Sequence, residues 1–179
     1  MVDTLDVFQK AHYGDAVRPN LFYVYVNFPS FIINSGGAFS NREQSKWLVQ
    51  SASLPGRSIG VMEIPFRGLK TKYAGNTIYP DWAASFLQDV NFQLNNAFEG
   101  WLEYIESPVA GIRANDLTYK TSVEIIQLDG RQNVIKNYVL IGAFPNDKAD
   151  IPLSQDANDE PQIFEITFSY DYYVTSVSL

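Results

Sequence analysis

Ser53-Leu54-Pro55-Gly56 opens the stretch around which the rest of the chain is arranged. It runs on through a strand-like segment ending Ile64-Pro65-Phe66-Arg67-Gly68 and a basic segment, Leu69-Lys70-Thr71-Lys72-Tyr73-Ala74-Gly75. A second strand-like run follows at Trp82 to Gln88, then a helical repeat from Phe92 to Ile105. Pro55 withholds a ladder donor and Gly56 tolerates positive φ, so a corner is expected between them. Pro65 points to a strand end or an exposed edge, because an interior proline forfeits a ladder hydrogen bond. In the helix, Leu94, Ala97, Phe98, Trp101, Leu102 and Ile105 form a full apolar stripe, with Gln93, Asn95, Asn96, Glu99, Glu103 and Glu106 on the other side. Asp89 or Asn91 is expected to cap its first turn, and Ser107-Pro108 to stop it. Glu99 and Glu103 are one turn apart, but on the polar face of a helix they read as a solvated pair. No catalytic group stands out, and the stretch reads as architectural.

The basic segment gathers Arg67, Lys70 and Lys72 between Gly68, Gly75 and their neighbours in an otherwise acidic protein. It is either a solvated hairpin tip or a protruding arm whose charge meets an acidic neighbouring subunit and sets its orientation. Upstream, residues 1–20 show no sustained period beyond a short helical piece at Leu5 to Ala11 and are expected to form an arm. His12, the single histidine, reads as a surface residue. Residues 21–179 are expected to form one β domain. Leu21 to Phe28 is a strand with Phe22, Val24, Val26 and Phe28 on one side and Leu21, Tyr23 and Tyr25 on the other. Both faces are apolar, so it is either central or half-covered by another chain. Pro29 to Ser45 has turn chemistry without a period, and Gln44 to Ala52 reads as a second strand.

Downstream, residues 107–118 read as a loop. Tyr119 to Leu128 and Val134 to Ala143 alternate and are joined through Asp129-Gly130, a hairpin signal. The second is expected to end at Gly142-Ala143-Phe144-Pro145. Asn146 to Pro161 is an acidic loop. The last strand, Gln162 to Val174, puts Phe164, Ile166, Phe168, Tyr170 and Tyr172 on one face and Glu165, Thr167, Ser169 and Asp171 on the other. That second face calls for water or a water-filled channel.

The chain has 179 residues, no cysteine and a formal net charge of −7. This length can bury a core without disulfide staples. The acidic balance argues against phosphate-driven nucleic-acid binding, but suits a wall past which DNA slides without sticking. The N-terminus, Met1-Val2-Asp3-Thr4-Leu5-Asp6, lacks the basic and apolar regions of a signal peptide, and no apolar run approaches bilayer length. A soluble chain with no signal of its own is expected. Aromatic residues make up 15% of the chain, more than one small sandwich needs, which suits buried contact surfaces. Zinc clusters, a phosphate loop, a nucleophile elbow and a dinucleotide fingerprint are all missing. Ser35-Gly36-Gly37 lacks a following Gly-Lys-Ser/Thr, and the aspartates of residues 146–161 do not fit a calcium loop. No enzyme activity, cofactor or metal is expected.

Six motifs in order carry a resemblance over Pro19 to Tyr173. They are Ser53-Leu54-Pro55-Gly56; Phe66-Arg67-Gly68 with Tyr73-Ala74-Gly75; Asn96-Ala97-Phe98-Glu99 with Trp101; Gln127-Leu128-Asp129-Gly130; Gly142-Ala143-Phe144-Pro145; and Phe164-x-Ile166-Thr167-Phe168-x-Tyr170-Asp171-Tyr172. Together they resemble the tail tube proteins of contractile-tailed bacteriophages, a pattern shared by the inner-tube proteins of phage-derived contractile injection devices.

The resemblance implies a mainly β fold, with two packed antiparallel sheets and one flanking helix, and six copies whose sheets join into a continuous barrel. Rings would stack into the rigid tube inside a contractile sheath, in the tail of a virion assembled in the host cytoplasm. Implied partners are further copies of the chain, the sheath protein, the baseplate or tube initiator, the tail terminator, and tape-measure protein and viral DNA in the lumen, with no sequence-specific binding. The family's arm maps onto Arg67, Gly68, Lys70, Lys72, Tyr73 and Gly75. Glu165, Thr167, Ser169 and Asp171, with Ser122 and Glu124, are the lumen-facing candidates. The competing readings are an initiator or terminator on the same fold, and an enzyme or carbohydrate-binding sandwich.

Overall fold

The computed structural model describes residues 17–34, 42–107, 112–156 and 160–177. Most of the residues expected to form an N-terminal arm, including His12, lie outside them, as do Ser35-Gly36-Gly37 and part of the stretch expected to be an acidic loop. The described chain is mainly β. Its strands are β1 (Phe22–Val26), β2 (Val49–Ala52), β3 (Ser58–Phe66), β4 (Leu69–Ile78), β5 (Trp82–Leu87), β6 (Glu106–Ser107), β7 (Ile112–Arg113), β8 (Thr121–Leu128), β9 (Val134–Lys148), β10 (Ile163–Ser169) and β11 (Tyr172–Val177). Its helices are α1 (Ser30–Asn34), α2 (Arg42–Leu48), α3 (Gln93–Ile105) and α4 (Asp116–Tyr119).

Two antiparallel sheets share β9. Sheet A runs β1-β8-β9-β11, and sheet B runs β9-β10-β5-β2. The strand expected to end at Gly142-Ala143-Phe144-Pro145 instead continues to Lys148 and passes from one sheet to the other. The crossing is a bulge: Thr121 pairs with Ala143 and Ser122 with Ile141, leaving Gly142 unpaired at φ 69°. The extra residue restores the inward direction in both halves, so Tyr138 and Leu140 before it and Ala143 after it are all buried.

Alternation explains the core. Val24, Val26, Val123, Ile125 and Leu140 point inward from sheet A; Trp82, Ala84, Phe86, Phe164, Ile166 and Phe168 point inward from sheet B. The stripe of α3 packs into the same cluster, with Phe98 within ring-contact distance of Phe28, Phe86, Phe164, Phe168 and Trp101. Buried Trp101 keeps its indole N–H satisfied by the Tyr119 carbonyl at 3.0 Å. Asp89 accepts from the Gln93 N–H at 3.1 Å and so supports the first turn of α3 as expected, although the residue at the cap itself is Phe92, at φ 54°. Asn95, read as part of the polar face, is buried: it donates to Gln88 Oε1 and accepts from Lys148 Nζ, which also reaches Glu99.

Three further expectations need correcting. Gln44 to Leu48 is helical, and only Val49–Ala52 is strand. The stretches read as loops at 29–45 and 107–118 contain α1, and β7 with α4. The last strand is not continuous: it breaks at Tyr170-Asp171, β10 staying in sheet B while β11 joins sheet A. The break reverses the alternation, so Tyr173 packs against the core and Tyr172, expected inside, is 47% exposed.

Candidate functional site: an arm and two sheet faces

The stretch from Ser58 to Ile78 is a two-stranded ribbon whose strands pair with each other only. Its tip is Arg67-Gly68, both at positive φ (49° and 83°), the tight turn whose twist matches a hairpin. Every residue from Val61 to Ile78 is exposed. A ribbon of this kind is marginal in water on its own, yet this one is long and apolar. Register separates its two faces. Met62 lies opposite Tyr73, Ile64 opposite Thr71 and Phe66 opposite Leu69, giving an apolar face on which Phe66 and Leu69 are 65% and 75% exposed. The other face carries Val61, Glu63, Pro65, Lys70, Lys72 and Ala74. The exposed ribbon extends well beyond the expected 67–75, over residues 58–78. Its lysines have a partner within the arm: Glu63 lies 3.1 Å from Lys70 and 3.7 Å from Lys72. At such exposure these pairs add little to stability. Gly75 sits in a tight place, since a Cβ there would lie 3.0 Å from the Gly60 carbonyl oxygen and push the two strands apart by a few tenths of an ångström. At its root, the arm is clamped by Trp82 Nε1 donating to the Ser53 carbonyl at 2.6 Å and by Tyr79 packed between Tyr170 and Tyr173. Burial raises the pKa of the Tyr170 phenol above its usual range.

The middle of the outward face of sheet B is built from small and polar side chains, with Leu87 and Ile163 at one end and Phe144, opposite Ser169, at the other. Across it, Ser51, Ser85 and Glu165 form one row, and Ala83, Thr167 and Asp147 the next. Ser51, Ala52, Ser53, Ala83, Ser85 and Glu165 line a shallow recess of about 330 Å³. Glu165, Thr167 and Ser169 thus share one surface, as alternation along a single strand predicts. Ser51, Ser85 and Asp147 belong to it as well. They went unread because cross-strand register, not local sequence, brings them beside Glu165.

The other three channel candidates lie elsewhere. Ser122 and Glu124 are on the outward face of sheet A, where Ser122 accepts from Asn27 at 2.8 Å and Glu124 pairs with Arg42. Asp171 sits in the break between β10 and β11, over Gly142, and pairs with Lys120 at 2.9 Å. That hydrogen bond raises the Lys120 pKa. On sheet A the exposed aromatic side of β1 is covered by α2 of the same chain. Lys46 Nζ lies 4.1 Å from the Tyr23 ring, and Arg42 4.7 Å from that of Tyr25. Ser45 closes the free edge of β1 by accepting from the Val26 N–H at 3.1 Å. Beyond α2, sheet A shows apolar surface again: Tyr172 lies beside Ile141 and Val174 beside Val139, with Val174 53% exposed. Among the described residues no group of His, Cys, Asp or Glu is arranged to hold a metal ion, and no helix is long and apolar enough to cross a membrane.

Comparison with known proteins follows the same lines. The tail tube protein gp19 of Enterobacteria phage T4 is 26% identical over 175 residues, covering 94% of this chain and 97% of that protein. The tail tube protein of Serratia phage KSP90 is 26% identical over 158 residues, covering 88% and 87%. Two solved structures share the fold. One is a chain from the baseplate of the anti-feeding prophage, with TM-score 0.66, 13% identity and coverage of 92% and 97%. The other is a chain from the sheath–tube complex of an extracellular contractile injection system, with TM-score 0.61, 14% identity and coverage of 95% and 97%. The model of the phage tail tube protein family matches residues 17–176, and the chain therefore belongs to that family, the structural proteins of the virion's tail tube.

Proposed function

We propose that copies of this chain join edge to edge into closed six-membered rings, and that the rings stack into the hollow tube inside a contractile sheath, with the outward face of sheet B lining the channel. The observation that carries this reading is sheet B itself, four strands with an unpaired strand at each edge. β2 pairs with β5 alone, and β9 beyond Ala143 pairs with β10 alone. The four strands alternate in direction, so β2 of one copy meets β9 of the next as an antiparallel neighbour. A head-to-tail contact of this kind closes into a ring and removes the edges. Edge β1, by contrast, is already plugged by Ser45.

The channel face is short-chained, hydroxylic and acidic through Ser51, Ser85, Glu165, Thr167, Ser169 and Asp147. The acidic members of such a wall repel a polyanion, and the nearby cation Lys120, beside Phe144, is neutralised by Asp171. DNA and tape-measure protein pass through it without sequence-specific binding. Residues 21–179 act as one domain preceded by an N-terminal arm. The sheath protein, a baseplate initiator and a terminator are the remaining partners, and the role is structural with no catalysis. The arm residues Arg67, Gly68, Lys70, Lys72, Tyr73 and Gly75 contact neighbouring copies. Negative-stain microscopy of the purified protein tests this: hollow rods or six-lobed rings are expected. A monodisperse single-chain particle at high concentration would overturn the reading.

A further inference from the structure

We propose that the apolar face of the arm (Met62, Ile64, Phe66, Leu69 and Tyr73) of one copy packs on the outward face of sheet A, at Val139, Ile141, Tyr172 and Val174, of the next copy. This inference rests on the ring reading and specifies which surface receives the arm. Both surfaces belong to this chain, and both leave large apolar side chains in water. Both are also β surfaces with side chains at the same two-residue period, so one lays on the other as two sheet layers about 10 Å apart.

Connectivity points to the same place. The arm springs from the end of β2, the edge strand of sheet B, and returns into β5. In a ring, the strand abutting β2 is β9 of the neighbour, and that same strand continues through Gly142 into sheet A, where it carries Ile141 and Val139 outward. The receiving face is therefore continuous with the strand that the arm's own root adjoins. Charge favours the same occupant. The arm holds three basic residues against one acid in a chain of net charge −7, so a second copy of this acidic chain attracts it, while Lys70, Lys72 and Glu63 stay on the side turned away from the apolar contact.

The chain has no cysteine, so thiols can be placed singly. Ile64→Cys protein is mixed with Val174→Cys protein and oxidised under conditions in which hollow rods form; a disulfide-linked dimer is expected on a non-reducing gel. Ile64→Cys mixed with Ser85→Cys, a channel-face position, is expected to stay unlinked. Rods that form while the Ile64/Val174 pair stays unlinked, or links less than the Ile64/Ser85 pair, overturn the docking site and leave the tube reading intact. Wild-type protein that forms neither rings nor rods overturns both. Independently, Val174→Lys is expected to melt like the wild type while raising the concentration for half-assembly roughly tenfold or more. Rods from this variant at the wild-type concentration overturn the docking site.

Discussion

Gly142 carries more of the architecture than any other single residue. Its φ of 69° is open to glycine at no cost, and a Cβ placed on it would come within 2.2 Å of Asp171 Oδ2. Gly142→Ala therefore carries left-handed strain of about 1–2 kcal/mol, the exposed Asp171 carboxylate being free to turn aside from the new methyl, read as a lower urea midpoint with an unchanged slope. Adding Asp171→Ala should recover little of it, because the part due to φ remains. Lys148 acts differently. It satisfies buried Asn95, so Lys148→Met should cost about 1–3 kcal/mol by stranding that amide oxygen, whereas the double variant Lys148→Met/Asn95→Leu should recover much of the loss. Thermal melts of the three proteins measure both numbers.

Asp129 organises the β8–β9 turn by accepting the Arg131 and Asn133 N–H groups, each at 2.8 Å. The backbone hydrogen bond from Asn133 is the largest cause holding its carboxyl below the usual 3.8. A depressed carboxylate pKa contributes stability that is fully present above the unfolded value and fades as pH falls through the folded one. The stability difference between wild type and Asp129→Ala should accordingly be constant near neutrality and shrink below pH of about 4. Urea titrations of both proteins at several pH values check the sign.

At the scale of elements, α3 and the arm are opposites. The helix sets five buried residues into the core, and Phe98→Ala should cost about 3–5 kcal/mol, the range for deleting a core aromatic, because that ring touches both sheet B and Phe28. The arm buries almost nothing in its own chain. Charge reversal at Lys70 and Lys72 should leave the melting temperature close to wild type, since the pairs with Glu63 are exposed, while impairing assembly into rods. Normal rods from that double variant would count against a role for the lysines in steering the arm to a neighbouring copy, and leave the contact through its apolar face to the Val174→Lys test. Assembly assayed by sedimentation and folding assayed by circular dichroism separate the two effects. Helix α2 shows why propensity alone misled: Gln44 to Ala52 looks like one strand, yet its first part pays its way as a helix by sealing the edge of β1 through Ser45 and covering Tyr23 and Tyr25.

For the molecule as a whole, the core is complete without the arm, whereas the two edges of sheet B and the faces of the arm are not. Replacing Ser58–Ile78 by a short glycine-serine linker should leave a body that unfolds cooperatively near the wild-type temperature and never polymerises. A body that fails to fold without the arm would mean that the hairpin belongs to the core after all.

What the amino-acid order determined by itself was whatever depends on neighbours within one turn or one strand. That covers the stripe of α3, the Asp129-Gly130 hairpin, the exposure of the Pro65 strand, and the inward set Phe164, Ile166 and Phe168 with its outward counterpart Glu165, Thr167 and Ser169, whereas Gly56 does not take the positive φ expected of it. A two-residue period tells which side chains share a face. It does not tell which face of which sheet, because that depends on partners far along the chain. Only the tertiary structure decided that β9 serves both sheets through a bulge at Gly142, that the last strand breaks at Asp171 and turns Tyr172 outward, that Ser122 and Glu124 lie on a different sheet from Glu165, and that Ser51, Ser85 and Asp147 stand beside it. Each of these follows from long-range hydrogen-bond register, which one extra residue in a strand is enough to shift.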